Sequence, residues 1–217
     1  MIQKISVATG LPCAKTRREP VQNEMRNLNA QGRDCWSCSG MCCTYEHNSM
    51  QIDPLQALEL LAYLEEEGRL SDDLERALEE NIARFRLDKD FSLGRGREFR
   101  RGFDCPFFLG KVKGCSIGRN AKPYGCLGFN PLQEKVSTAG KCASNLVVLT
   151  EREKAFGERE ELANQKIVKE LGLYWRKKSL PFALKDTLKA LRKDKSERQT
   201  LELARQEKSP SKHNDLV

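Results

Sequence analysis

The chain is short of histidine, aromatic residues and long apolar runs, and each shortage excludes something. Two histidines, no base–nucleophile pair and no cofactor fingerprint leave little for conventional acid–base or covalent catalysis. Aromatic residues are 7% and hydrophobic residues 39% of the 217 positions, enough for one modest core plus appendages but not two full domains. The stretch Met1 to Gly10 has no apolar run of signal-peptide length. The longest later run, Leu146-Val147-Val148-Leu149, is far too short to span a bilayer. The expectation is a cytoplasmic protein with no membrane partner. No internal repeat is visible.

Cysteine and charge are plentiful. There are nine cysteines, and a reducing compartment disfavours a disulfide framework, so metal binding becomes the default. The net charge of +7 is unevenly spread: residues 53–90 carry −7, whereas residues 91–145 carry +7 and residues 146–217 carry +5.

The expected fold is mostly α, with irregular metal-stapled loops. Residues 1–32 are polar without a clear period and read as a flexible arm. Residues 33–145 read as a cysteine-cluster domain with a helical excursion at 53–90, residues 146–206 as a helical extension and 207–217 as a disordered tail. Asp53-Pro54 opens a helix with Leu55, Leu58, Leu61, Ala62 and Leu64 on one stripe, stopped by Gly68. Ser71 or Asp72 caps a second, striped by Leu74, Leu78, Ile82 and Phe85. Residues 107–109 and 115–117 suit a short hairpin, and Pro123, Gly125, Gly128 and Pro131 predict irregular chain between them and the next helix. Thr150 and Glu153 form a capping-box pattern that predicts a helix from about Glu151 to Leu171, with Phe156, Ala163, Ile167 and Leu171 inward and Gly172 as its stop. Leu180, Leu184, Leu188 and Leu191 mark a fourth helix.

Eight cysteines fall into two groups: Cys35, Cys38, Cys42 and Cys43, then Cys105, Cys115, Cys126 and Cys142. A two-residue gap lets two thiolates reach one ion while the intervening amides turn toward sulfur, as in zinc and iron–sulfur sites. The side chains of Cys42 and Cys43 diverge, which suits two ions or two corners of a cluster, or else one ligand and one buried thiol. The excursion at 53–90 must return so that Cys105 lies near the first group. Thiolates suit zinc and iron alike.

These residues, with Cys105-Pro106-Phe107-Phe108-Leu109, Cys115-Ser116-Ile117 and the run Lys122 to Phe129, resemble the bacterial cysteine-cluster family described as zinc- or iron-chelating, the YkgJ type with its CxxCxxxCC pattern. The resemblance spans about residues 33–145, roughly half the chain. It implies a small metal-binding domain, often iron–sulfur, with no general reaction. A related cluster accompanies flagellin lysine-N-methylases, which keeps an enzymatic member in view. The chain departs from the family in having Leu127 where Arg is common and Asn130 between Phe129 and Pro131.

Other residues have plainer readings. Cys13 is a free thiol, His47 is a neighbour of the cluster more than a ligand, His213 belongs to the tail, and Asp104 orients the loop before Cys105. Cys35-Trp36-Ser37-Cys38 lacks the strand–helix setting of a redox dithiol. Gly94-Arg95-Gly96-Arg97 is not a nucleotide fingerprint. Arg95, Arg97, Arg100 and Arg101, interleaved with Phe91, Phe99 and Phe103, either balance thiolate charge or bind an anion such as single-stranded nucleic acid. Lys185, Lys189, Arg192, Lys193 and Lys195 form a basic stripe.

Three function classes follow. The first is a protein holding an iron–sulfur cluster or zinc through the eight thiolates, for redox, metal handling or support of a protein partner. The second is an iron–sulfur oxidoreductase or methyltransferase-type enzyme using the cluster. The third is a zinc-stapled nucleic-acid-binding module.

Overall fold

The computed structural model describes residues 1–33, 40–89, 100–110, 114–132 and 142–207. It is mostly helical, with only small sheets. Residues 1–32 are not a loose arm: they form α1 (Ile2–Thr9) and α2 (Ala14–Ala30). Gly10, at φ +62°, ends α1 in the left-handed conformation open to glycine. Helix α2 buries Val21, Met25 and Leu28 on one face. Arg17 and Arg18 continue that face one turn earlier and are just as buried. Two charged residues on an inward stripe hide its period from the sequence.

Strand β1 (Gln51–Ile52) leads into α3 (Pro54–Glu66). Asp53 caps α3 by accepting the Gln56 N–H at 2.9 Å. Ser71 caps α4 (Asp72–Phe85) by accepting the Leu74 N–H at 3.3 Å. Both helices follow their sequence stripes. Residues 124–131 are more regular than their prolines and glycines suggest: α5 (Tyr124–Leu127) and β2 (Phe129–Pro131) form there. β2 pairs antiparallel with β3 (Cys142–Ser144), Pro131 opposite Cys142.

Helix α6 (Leu146–Leu171) starts a turn earlier than its capping-box pattern indicates, because Asn145 takes the cap and accepts the Val148 N–H at 3.3 Å. Gly172, at φ +64°, closes it as expected. Strand β4 (Lys178–Ser179) pairs antiparallel with β1 and feeds α7 (Leu180–Glu207).

The excursion and the C-terminal helices share one core. Leu55, Leu61 and Leu64 of α3, Leu78 of α4, Ile167 of α6, and Leu180 and Leu184 of α7 belong to the same buried apolar cluster. Ile5 of α1 joins it. Each such side chain contributes about 1.5–3 kcal/mol through burial. Helices α3 and α4 both pack on α7. The acidic and basic blocks meet there, Lys185 pairing with Glu79 at 2.9 Å and Arg192 with Glu75. The reversed numbering shows that α4 and α7 run antiparallel, and two cations of the basic stripe are engaged within the fold.

Candidate metal centre

The first thiol segment enters through Gly40, whose φ is +76°. A Cβ there would lie 2.1 Å from the Phe108 ring, so only glycine lets the two segments meet. A 3₁₀ turn, Met41–Cys43, follows, with the Cys43 N–H bonded to the Gly40 carbonyl at 2.8 Å. The second group is stapled alongside. The Cys105 N–H donates to the Cys43 carbonyl at 2.7 Å, and the Phe103 N–H to the Asn48 carbonyl at 2.9 Å. Asp104 plays the orienting part read from the sequence, accepting the Tyr45 N–H at 2.8 Å. Phe108 and Cys115 form the expected antiparallel bridge. Cys126 comes from α5 and Cys142 from β3.

Cys42, Cys43, Cys105, Cys115, Cys126 and Cys142 thus line one cavity of about 1200 Å³. All six are free thiols. Cys43 hydrogen-bonds to both Cys42 and Cys105 through its sulfur. The bond from Cys43, with burial behind it, pushes the Cys42 thiol well above its ordinary range. The bond with Cys105 leads in pushing Cys43 up to about 12. Burial first, then Cys115, Cys43 and Cys42, raise Cys126, while Lys122 opposes the rise at Cys42 and Cys126. Such a crowd of thiols resists deprotonation until a cation replaces the protons. The Ile117 N–H points at the Cys115 sulfur, 3.4 Å away, as amides do toward ligating sulfur. Among the described residues, no three His, Cys, Asp or Glu side chains form a ready ligand set.

Cys35 and Cys38 lie outside the described residues, as do Phe91, Arg95, Arg97, Phe99 and His213. Of the arginine cluster, Arg100 reaches the cavity. Arg101 instead donates to the carbonyls of Phe85 and Arg86, closing the end of α4. Phe103 is fully buried in the core. His47 lines the thiol cavity. Cys13 stands apart and exposed at the start of α2, its thiol 3.2 Å from the Thr16 hydroxyl. That hydrogen bond leads in lowering its pKa.

Sequence reasoning missed a second set of residues beside the thiols. Arg17 and Arg18 of α2, Glu59 of α3, Tyr124 of α5, and Arg152 and Glu160 of α6 form one buried network. Although burial opposes it, the nearby Glu59 and Glu160 charges hold Arg17 above its ordinary value. The signal lay in the α6 pattern: Arg152 and Glu160 fall on the stripe that continues through Ala163 and Ile167.

Compared with protein-family models, curated proteins and solved structures, the chain matches none.

Proposed function

We propose that this is a metal-binding protein, holding zinc or an iron–sulfur cluster through Cys35, Cys38, Cys42, Cys43, Cys105, Cys115, Cys126 and Cys142. One observation carries the reading: cysteines from four separate stretches of chain, at 42–43, 105–115, 126 and 142, line a single cavity with no disulfide among them. Soft sulfur donors of this kind suit both metals. Bound there, zinc supplies a structural crosslink and an iron–sulfur cluster supplies one-electron transfer. The resemblance to the cysteine-cluster family supports the same reading. Cytoplasmic residence is part of the proposal, since free thiols persist where the environment is reducing. No helix among the described residues is long and apolar enough to cross a membrane.

The cavity volume favours a second reading, in which the metal serves an active site. About 1200 Å³ is ample for a small substrate beside a cluster, since ligand pockets run to roughly 300–1,000 Å³. An oxidoreductase or methyl-transfer enzyme fits that reading.

Anaerobic purification, metal analysis and an absorption spectrum test the proposal. Iron with acid-labile sulfide and visible colour supports the cluster, and a colourless protein with bound zinc supports the zinc form. A fully folded protein that takes up neither metal overturns the assignment.

A further inference from the structure

The buried network is arranged around the residue that introduces Cys126. The Tyr124 hydroxyl accepts from Arg17 at 2.6 Å and donates to Glu160 at 2.8 Å. Two guanidinium groups lie over its ring, Arg152 at 3.3 Å and Arg18 at 5.0 Å from the centroid. The backbone is held as well. Arg18 donates to the Lys122 carbonyl at 3.0 Å, and the Tyr124 N–H donates to the Gln56 side chain at 3.2 Å. The segment that delivers Cys126 is therefore fixed by α2, α3 and α6 together.

The network is also closely paired. Arg17, Arg18 and Arg152 meet Glu59 and Glu160, Arg152 lies 3.4 Å from Glu153 as well, and the three arginine side chains are 1–3% exposed. One nitrogen of Arg18 is buried without a hydrogen-bond partner. Cys126 is two residues from Tyr124.

We infer that the Arg17–Arg18–Arg152–Tyr124 network, with Glu59 and Glu160, is the positioning frame of the metal centre: through Tyr124 it fixes the Cys126 sulfur. The inference rests on the metal reading above. They act through Cys126 and not as ligands, as partners behind metal ligands do.

The test uses protein purified anaerobically with its own metal. The rate of metal transfer to excess EDTA and the metal–thiolate absorption are measured for wild type, Tyr124→Phe and Arg152→Gln. Leu78→Ala, which opens the core away from the network, is the control. Tyr124→Phe and Arg152→Gln are expected to release metal about 10–100-fold faster, with a shifted absorption band. Leu78→Ala is expected to lower the melting temperature yet release metal at the wild-type rate well below that temperature. Tyr124→Phe removes a single oxygen and keeps the ring, so it remains informative if Arg152→Gln fails to fold. Release rates that follow melting temperature across all variants, or a Tyr124→Phe protein identical to wild type, overturn the inference alone. A wild-type protein without metal overturns the reading beneath it as well.

Discussion

Gly40 and Asp53 are single positions at which the cavity depends on one side chain. Replacing Gly40 with Ala puts a methyl group into the Phe108 ring at a φ that alanine adopts only under strain. Gly40→Ala is expected to cost about 2–4 kcal/mol and to lower metal content, read by denaturant unfolding and metal analysis; unchanged stability would contradict the close approach. Asp53 lines the cavity, and burial raises its carboxyl pKa above the ordinary 3.8, against the pull of its bonds to Gln56. A raised native pKa gives a contribution that is complete below 3.8 and lost as pH climbs through the native value. The stability of wild type relative to Asp53→Asn is therefore expected to fall from pH 4 to pH 7. Thermal unfolding of both proteins at the two pH values checks this, and an equal difference at both would refute it.

At the scale of elements, legibility followed the caps and the apolar stripes. α3 and α4 announced themselves because Asp53 and Ser71 precede leucines at spacings of three and four. α2 did not, because the inward face it shares with Val21 and Met25 begins with two arginines, which pattern reading assigns to solvent. α6 carries the expected stripe but begins earlier than its capping box implies. Thr150 and Glu153 make a genuine cap pattern, yet Asn145 lies five residues earlier, and its N–H is tied to the Gly128 carbonyl at 2.7 Å. The consequence is measurable. Asn145→Ala is expected to cost about 1 kcal/mol, whereas Thr150→Ala, at an exposed position inside the helix, is expected to be near neutral. Equal losses in thermal melts would restore the later start. That the two cysteine groups belong together was legible because cysteine spacing needs no knowledge of the fold, and the six described members line one cavity. The arginine network was not, since its six members come from four helices and meet only in three dimensions.

Taken whole, the molecule has two sources of order that meet at the second cysteine group. The apolar cluster draws on α1, α3, α4, α6 and α7 and takes in Phe103, Phe107, Ile117 and Ala121, with Cys105 and Cys115 packed against it, whereas Cys42 and Cys43 sit on the 3₁₀ turn, Cys126 on α5 and Cys142 on β3 outside that cluster. Removing the proposed metal with chelator is therefore expected to leave most of the helical circular dichroism intact, while making residues 124–131 more susceptible to protease. Complete loss of helix on chelation would show that the metal, not the leucines, holds the molecule together.

The pairing of β1 with β4, and of α3 and α4 with α7, also sets an order in time. A ribosome delivers all the thiol-bearing segments before the helix that closes the core. At about 5–20 residues per second, the stretch from Cys142 to Leu191 takes roughly 2–10 s to synthesise. Throughout that interval the leucines of α3 and α4 await their partner. The nascent chain therefore presents its cysteines and an unfinished apolar core together, so oxidation of the thiols and aggregation threaten it at the same stage of synthesis.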